Sequence, residues 1–299
     1  MTSTAQGFRS GYVAIVGRPN VGKSTLLNHL VGAKISIVSR RPQTTRHRVR
    51  GILTTDEAQL IFVDTPGFQT LHGGMLNRAL NRSVVQTLGD VDVVLMVVEA
   101  LRFNAGDRQV VALLDRNRPA ILAVNKVDQV KDKRQLLPFI QQAAEAYPFA
   151  EIVPISAEKG TGLDELVASV RQYLPEGPPL YDLEEMTDAS ERFLAQELIR
   201  EKLFRLLGEE LPYATTVVVE AFKDEGGLKR IHAVIYVEKE SQKAIVIGRK
   251  GEKLKEIASR ARLDMEQLFG AKVFLDVWVK VRRGWSDDEK MLKSLGFGD

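Results

Sequence analysis

The chain has 299 residues, of which 44% are hydrophobic and 27% are charged, and its formal net charge is +3 at pH 7. This length favours two domains that each bury a core, and the composition is typical of globular proteins. The absence of cysteine excludes disulfides and thiolate metal sites. The longest apolar run, 91–98, is too short to span a bilayer, and no signal-peptide pattern opens the chain. We therefore expect a cytoplasmic protein with at most peripheral membrane contact.

The segment Gly17-Arg18-Pro19-Asn20-Val21-Gly22-Lys23-Ser24 matches GxxxxGK[ST], and it lies between a β-branched apolar run and a run with helical spacing. A strand, a loop and a helix in this order predict a phosphate-binding loop. Its glycines let backbone N–H groups point at phosphate oxygens, at the positive end of the helix dipole. Lys23 is expected to reach the β- and γ-phosphates, and the Ser24 hydroxyl to bind Mg²⁺. A glycine-rich turn with a chance lysine is the alternative, which both flanking elements disfavour.

Residues 34–50 carry six basic residues and no acidic one. A polar, charged stretch between a helix and the next strand predicts a mobile loop. In a nucleotide switch, the loop after the first helix supplies a threonine to Mg²⁺ and the γ-phosphate. We select Thr45 over Thr44 for this role, and a solvated surface stretch is the alternative.

Two β-rich runs, 51–55 and 58–63, predict a hairpin whose second strand leads into Asp64-Thr65-Pro66-Gly67. A carboxylate at the carboxyl end of a buried strand, beside a phosphate loop, is placed to hold Mg²⁺ through water. Gly67 is expected to offer its N–H to the γ-phosphate. Alone the tetrapeptide is a plausible turn, but its position after a phosphate loop favours a nucleotide contact.

Near-continuous apolar runs at 91–98 and 120–124 are typical of parallel strands covered on both faces. The second run ends in Asn125-Lys126-Val127-Asp128. The carboxylate of Asp128 has two acceptor oxygens that match the N1–H and N2–H₂ donors of guanine, a pair that adenine lacks. The site is therefore expected to prefer GTP over ATP by several kcal/mol. A helix N-cap is the alternative interpretation of this motif.

Other residues near this motif are expected to complete the base site. Asn125 would brace the loop, and the Lys126 stem would lie over the base. A further apolar run, 152–155, leads into Ser156-Ala157-Glu158, whose backbone N–H groups are expected to meet the guanine O6. A helix over 163–173 closes the domain.

In this order and at these spacings, the motifs resemble those of translation-factor-type GTPases. The phosphate loop GRPNVGKS, the TTR triplet and DTPG followed by an apolar residue are similar to the bacterial Era family. The resemblance implies a mixed six-stranded sheet with helices on both faces, and Mg²⁺-dependent hydrolysis of GTP to GDP. The candidate nucleotide-binding residues are Gly17, Arg18, Pro19, Asn20, Val21, Gly22, Lys23, Ser24, Thr25, Asp64, Thr65, Pro66, Gly67, Asn125, Lys126, Asp128, Ser156, Ala157 and Glu158. The candidate metal ligands are Ser24, Thr45 and Asp64, and the candidate catalytic residues are Lys23, Thr45, Gly67 and Asn20.

Phe68 stands where Ras-like GTPases carry the glutamine that orients the attacking water. A phenyl ring cannot hydrogen-bond that water, so unassisted hydrolysis is expected to be slow. The family resemblance implies a substitute, because relatives with this apolar residue often recruit K⁺ through the phosphate-loop asparagine, here Asn20. The ion would stabilise the charge that develops on the phosphates.

The run Pro175-Glu176-Gly177-Pro178-Pro179 predicts a stiff, short boundary. We place a GTPase domain at residues 1–176, a linker at 177–188 and a second domain at 189–299. The predicted elements of the second domain are a helix over 190–207 and strands over 215–222, 230–237 and 271–281.

Residues 245–257 form an apolar arm, the loop Gly248-Arg249-Lys250-Gly251 and a helical pattern. Residues 239–283 carry twelve basic and six acidic residues, which indicates a polyanionic partner. A lone GxxG is usually just a turn, and 245–247 also has the periodicity of a strand. With its flanking elements this stretch resembles a KH domain, in which the GxxG loop clamps single-stranded RNA. The candidate RNA-binding residues are Ile245, Ile247, Gly248, Arg249, Lys250, Gly251 and Lys253.

The α-β-β-α-α-β order resembles the type II KH domain, a smaller α+β fold, followed here by a C-terminal helix. The likeness to the Era family therefore covers nearly the whole chain. The presence of a single GTPase domain excludes the related family whose members carry two GTPase domains. The likeness implies binding to 16S rRNA near its 3′ end during maturation of the 30S subunit, with peripheral association with the inner membrane. We expect a monomer.

The sequence thus predicts a GTP-hydrolysing, RNA-binding switch. One rival function is that of an enzyme that modifies RNA. This hypothesis lacks support, because the sequence shows no acid–base constellation beyond the nucleotide motifs. A second rival is an RNA chaperone with a vestigial nucleotide site.

Overall fold

The computed structural model describes residues 7–39, 41–69, 74–208 and 211–296. Contacts divide these residues into two compact units. The first contains residues 7–36, 45–69 and 77–188, and the second contains the described residues of 37–44, 74–76, 189–208 and 211–296. Across the described part of the chain, no helix is both long and apolar enough to cross a membrane.

The first unit contains a six-stranded sheet in the order β2-β3-β1-β4-β5-β6, in which β2 is antiparallel to β3 and the other pairs are parallel. This confirms the predicted mixed sheet. Its strands are β1 (Arg9–Val16), β2 (Val49–Thr54), β3 (Ala58–Asp64), β4 (Val93–Glu99), β5 (Ala120–Asn125) and β6 (Glu151–Pro154). The helices of this part of the chain are α1 (Lys23–Val31), α2 (Met75–Gly89), α3 (Ala105–Val111), α4 (Leu136–Ala144) and α5 (Leu163–Gln172).

Both faces of the central strands are buried. In β1, Ala14 and Val16 belong to the core that α2, α3 and α4 cover, while Val13 and Ile15, on the opposite face, are equally inaccessible. Continuous burial explains why these strands are apolar throughout rather than alternating. The parallel strands all end at one edge of the sheet, so the polar residues that follow β1, β3, β4 and β5 are brought together there.

The predicted linker, residues 177–188, is held along the sheet of the first unit, and we call it the strap. The buried side chain of Gln59 accepts hydrogen bonds from the backbone N–H groups of Leu180 and Tyr181, at 2.7 and 2.9 Å. The edge strand β2 donates from Ile52 N to Met186 O at 2.9 Å. The strap is therefore packed on the first unit instead of crossing free solvent.

The second unit has a three-stranded sheet in the order β7-β8-β9, with β7 antiparallel and β9 parallel to β8. One face of the sheet is covered by α6 and α8 around a core that includes Leu198, Ile235 and Ile257. The elements are α6 (Glu191–Leu206), β7 (Thr215–Asp224), β8 (Leu228–Val237), α7 (Glu240–Ile247), α8 (Glu252–Phe269), β9 (Lys272–Val281) and α9 (Glu289–Ser294). The predicted α-β-β-α-α-β order and the C-terminal helix are confirmed, and 245–247 is helix rather than strand.

Candidate nucleotide site and nucleic-acid loop

The phosphate loop connects the end of β1 to the start of α1. Gly17 and Gly22 have φ angles of 152° and 104°, in the region that favours glycine, and a Cβ at Gly22 would collide with Asn125. Arg18, Pro19, Asn20 and Val21 complete the turn, and Thr25 follows in the first turn of α1. The backbone is therefore already curved in the way that phosphate binding requires.

Lys23 is buried at the base of this loop, with only 6% of its surface exposed. Its Nζ donates to the carbonyl oxygens of Gly17 and Arg18, both at 3.0 Å. Burial lowers the pKa of the ammonium group to about 8, against the attraction of Asp64. A phosphate anion would add negative charge beside the buried ammonium group, where the attraction of Asp64 does not offset burial.

Three hydroxyl groups converge on the Asp64 carboxylate. Ser24 Oγ donates to Asp64 Oδ2 at 2.6 Å and lies 2.8 Å from Thr45 Oγ1. Ser36 Oγ donates to the same carboxylate oxygen at 2.8 Å, and Thr45 Oγ1 lies 3.4 Å from it. Thr44 is directed elsewhere, because its hydroxyl lies 2.6 Å from Ser39 Oγ and donates to Arg41 O.

This cluster fits a hard divalent cation. All of its side-chain ligands are oxygens, which Mg²⁺ prefers. The second carboxylate oxygen, Asp64 Oδ1, is buried and has no hydrogen-bond partner among the described residues. Burial raises the pKa of the Asp64 carboxyl, although the Lys23 charge and the three hydroxyls oppose that rise. A cation here would relieve both the buried charge and the unsatisfied oxygen.

The segment after β3 lies against the phosphate loop. Thr65 Oγ1 donates to Ile15 O at 2.8 Å, and Pro66 is buried. A Cβ at Gly67 would lie 2.8 Å from Pro19 Cα, so only glycine allows this approach. Phe68 N donates to Gly17 O at 3.3 Å, while its ring packs against the apolar core.

The residues expected to bind the base also come together. Asn125 Nδ2 donates to Val21 O at 2.8 Å, and Asn125 Oδ1 accepts from Lys126 N and Ala157 N at 2.7 and 2.9 Å. Ser156 Oγ donates to Asp128 Oδ1 at 2.6 Å. The Asp128 and Glu158 residues are exposed, so the Asp128 carboxylate is accessible to a base. The Asn125 side chain therefore links the phosphate loop to both segments that are expected to read the base.

Sequence reasoning missed Ser36 and Glu99. Ser36 lies in a loop, and no local pattern distinguishes it from other loop serines. Glu99 ends β4 and is paired in register with Asn125 on β5. The position of Glu99 at the carboxyl end of a parallel strand was a usable signal, because ligand contacts concentrate there.

The GxxG loop connects α7 and α8 in the second unit. Gly248 has φ 72° and ψ −180°, and a Cβ there would lie 2.6 Å from Lys253 Cβ. Gly251 and Lys250 have left-handed helical backbones, at φ 81° and 51°. Arg249 and Lys250 are exposed, and so is 56% of Ile245, whereas Ile247 is partly buried. The loop therefore presents two cations beside an apolar surface.

Comparison with known proteins agrees with both units. Residues 12–126 match the family described as 50S ribosome-binding GTPase, and residues 210–286 match the KH domain family. GTPase Era of Nitrosomonas eutropha is 57% identical over 294 residues, covering 98% of this chain and 99% of the relative. GTPase Era of Chromobacterium violaceum is 59% identical over 296 residues, covering 99% of both.

Two solved structures have nearly the same fold. One is Aquifex aeolicus Era, as a variant bound to GDP·AlF₄⁻, with a TM-score of 0.94. The other is Era in complex with MgGDPNP and nucleotides 1506–1542 of 16S ribosomal RNA, with a TM-score of 0.93. Each is 40% identical, covering 98% of this chain and 100% of the other.

The sheet, the phosphate loop and the base-reading segments define a P-loop GTPase, here followed by a KH domain. The protein binds GTP and GDP and hydrolyses GTP. The chain belongs to the GTPase Era family.

Proposed function

We propose that this GTPase is an RNA-binding switch that binds 16S rRNA near its 3′ end and assists maturation of the 30S subunit. The observation that carries this proposal is the GxxG loop, with Arg249 and Lys250 exposed between two helices of a KH domain. Its glycines permit close approach of an RNA backbone, and its cations face phosphates. Ile245, Ile247 and Lys253 flank the loop. The RNA-bound Era structure supports the choice of target.

In the proposed hydrolytic site, Lys23 exchanges its two backbone acceptors for the β- and γ-phosphates. The N–H of Gly67 donates to the γ-phosphate, and Thr45 closes over it from the loop after α1. Ser24, Thr45 and Asp64 would hold Mg²⁺, which neutralises charge on the phosphates when it is bound. Asp128 and Asn125 orient the guanine from the opposite end.

The proposal includes K⁺ near Asn20. Phe68 carries no hydrogen-bonding group for the attacking water, and its ring is packed on the core. Asn20 lies at the turn of the phosphate loop, with φ 65°. A monovalent cation on this side would stabilise the transition state electrostatically.

The second unit contains part of the loop that precedes Thr45, and this supports control of RNA binding by the nucleotide. Val38 N donates to Glu201 Oε1 at 3.1 Å, and Val38 O accepts from Arg205 Nη2 at 2.9 Å. We infer that an order change at Thr45, driven by the γ-phosphate, is transmitted along this loop to α6 of the KH unit.

Sequencing of RNA crosslinked to the protein in the GTP and GDP states tests the target and the switch together. We expect reads at the 3′ end of 16S rRNA, with different yields in the two states. Predominantly non-ribosomal reads would contradict the assembly role. Covalently altered RNA would favour the RNA-modifying rival, and full in vivo function of a Lys23→Ala variant that binds no GTP would favour the chaperone.

The proposal also places the protein in the cytoplasm, as a monomer with peripheral contact to the inner membrane. Light scattering tests the monomer, and flotation with vesicles of inner-membrane composition tests the contact. A stable dimer, or recovery only in the vesicle-free fraction, would remove the corresponding part of the proposal.

A further inference from the structure

Glu99 ends β4 beside the nucleotide site, and three cationic side chains surround its carboxylate. Lys126 Nζ lies 2.9 Å from Oε2, and Arg102 Nη1 lies 2.9 Å from Oε1. Arg18 Nη2 lies 3.6 Å from Oε2. Only 13% of the Glu99 side chain is exposed. None of the sequence motifs includes this residue.

One partner, Lys126, belongs to the base-reading segment. Its ammonium group also donates to Asn20 O in the phosphate loop, at 2.9 Å. The backbone of Lys126 is left-handed, with φ 67°. The carboxylate of Glu99 therefore fixes an ammonium group that joins the segment reading the base to the loop holding the phosphates.

A second partner, Arg18, belongs to the phosphate loop itself. Its Nε donates to Asp107 Oδ2 at 3.1 Å, and Asp107 is fully buried. Asp107 also accepts from Asn104 N at 2.9 Å in the capping box that begins α3. Glu99 and Asp107 thus hold the Arg18 guanidinium between β4 and α3.

The turn after β4 places the third partner. Leu101 has φ 61°, which is unfavourable for a non-glycine residue, and Arg102 N donates to Glu99 O at 3.0 Å. Such a conformation persists where the surrounding contacts determine it, and it is common at functional sites. The turn brings Arg102 back onto the carboxylate that ends the strand.

We propose that Glu99 is a positioning residue that holds the guanine-reading segment and the phosphate loop in one arrangement, so that GTP is recognised as a whole. Burial raises the pKa of the Glu99 carboxyl, but the Lys126 hydrogen bond and the three cations outweigh it and leave the pKa below its ordinary value. The group is therefore ionised at neutral pH. Glu99 lies outside the predicted nucleotide motifs and acts through Lys126 and Arg18.

The Glu99→Gln variant tests this proposal, because it keeps the shape and removes the charge. We expect the KM for GTP and the GDP dissociation rate constant each to rise about tenfold. The kcat at saturating GTP should stay within about threefold, because the groups around the γ-phosphate are unchanged. Stopped-flow release of a fluorescent GDP and steady-state hydrolysis supply these values.

A double-mutant cycle separates positioning from general stability. In a Lys126→Met background, Glu99→Gln should add less than about twofold to the GDP dissociation rate constant, because its main partner is gone. The exposed Glu145 at the end of α4 gives a matched control, and Glu145→Gln should leave the constant within about twofold. Any of three results would overturn the proposal. The GDP dissociation rate constant could be unchanged in Glu99→Gln, or the effects of Glu99→Gln and Lys126→Met on it could simply multiply in the double variant. The third is a fall in kcat with no change in KM.

Discussion

At the scale of single residues, the nucleotide site stores charge that a ligand relieves. Lys23 is buried on two backbone carbonyls, and the buried Asp64 has one oxygen without a partner among the described residues. Neither arrangement favours the folded state without a ligand, since a buried charge needs a countercharge. The site is therefore prepared for a phosphate anion and a cation at a cost in stability.

The lowered pKa of Lys23 predicts a proton linkage. The pKa of about 8 in the free protein should rise when phosphates bind, so Lys23 itself should take up roughly three quarters of a proton near pH 8.5 and almost none near pH 6.5. The affinity for GDP should accordingly fall as the pH rises above about 8. Calorimetry in buffers of different ionisation enthalpy measures the uptake.

Guanosine is the matched control for this linkage, because it fills the base site and carries no phosphate. Its binding should take up no proton at either pH. The same pKa shift affects stability. Because the pKa of Lys23 is lower in the folded protein than in the unfolded chain, the lysine reduces the free energy of unfolding of the nucleotide-free protein below about pH 8. This reduction disappears as the pH rises towards 10.5. Equal proton uptake by GDP and guanosine would refute the assignment to Lys23.

Asp128 is expected to set the base specificity. Asp128→Asn replaces an acceptor with a donor, so the affinity for GTP should fall at least about a hundredfold. Xanthosine triphosphate carries an oxygen at C2, which can accept from the new amide, so it should bind to this variant better than GTP does. Equilibrium dialysis with both nucleotides measures the exchange. Asp132→Asn, which changes a partly exposed carboxylate paired with Arg134, should leave both affinities within about twofold. Retained GTP preference in Asp128→Asn would show that other groups read the base.

The apolar Phe68 leads to a prediction about ions. Hydrolysis should be at least about tenfold faster in potassium chloride than in sodium chloride, and Asn20→Ala should lose this difference while still binding GDP. Single-turnover assays at equal ionic strength give the rates. Asn117→Ala, at an exposed asparagine bound to Asp115, should keep the difference. Equal rates in the two salts would exclude the K⁺ proposal.

At the scale of elements, the loop between α7 and α8 depends on glycine. Gly248→Asp adds a side chain where a Cβ already meets Lys253, and it places a negative charge near the expected RNA phosphates. RNA affinity should fall at least about tenfold, with GTP turnover in the absence of RNA within about twofold. Anisotropy with a labelled RNA of the 16S 3′ end measures the binding.

The hairpin glycine Gly226 provides the control for this substitution. It also has a positive φ, 65°, but a Cβ there would meet nothing within 4 Å. Gly226→Asp therefore makes the same charge change in the same unit, and its RNA affinity should stay within about twofold. Equal losses in the two variants would indicate a general effect of charge or strain instead of a loop contact.

Much of the element order was predictable, because local signals were strong. Continuous apolar runs predicted β4 and β5, and the carboxylate that follows β3 was expected beside the phosphate loop because it ends a buried strand. The short run at 245–247 was ambiguous, since periodicity cannot separate a strand from a helix over so few residues. In β9 the large aromatics Phe274 and Trp278 are 45% and 62% exposed, while the smaller Val273 and Val279 face the core.

The remaining gaps in the candidate site have a common physical reason. The contacts of Ser36 depend on the path of its loop. The position of Glu99 was predictable as a strand end, but its partners Arg18 and Lys126 come from loops that no short pattern brings there. The strap was predicted as a linker from its prolines, and its hydrogen bonds to Gln59 follow from tertiary packing alone. The roles assigned to the nucleotide and RNA residues stay predictions that the substitutions above test.

At the scale of the whole molecule, the proposed switch requires that RNA affinity depend on the nucleotide. Arg205→Met removes the hydrogen bonds to Val38 O and the ion pair with Glu201. In the unaltered protein, the ratio of the RNA affinity with a GTP analogue to that with GDP should be roughly fivefold to 150-fold, the range typical of allosteric coupling. In Arg205→Met this ratio should fall below about threefold. Calorimetric titration of the same RNA into both nucleotide complexes measures the ratio.

Lys223→Met is the control for this experiment, because it removes an exposed cation from β7 of the same unit. It should lower both affinities equally and leave the ratio unchanged. A wild-type ratio close to one, or an unchanged ratio in Arg205→Met, would remove the proposed route through α6.

The strap also has a practical consequence for work with the isolated GTPase domain. A protein shortened to end at residue 176 would leave the outer strand β2 bare, with the Ile52 N–H open to strand addition by another molecule and the Gln59 side chain without its partners in the strap. Such a fragment is expected to self-associate and precipitate. Extending it through Asp188 should keep it dispersed at high concentration.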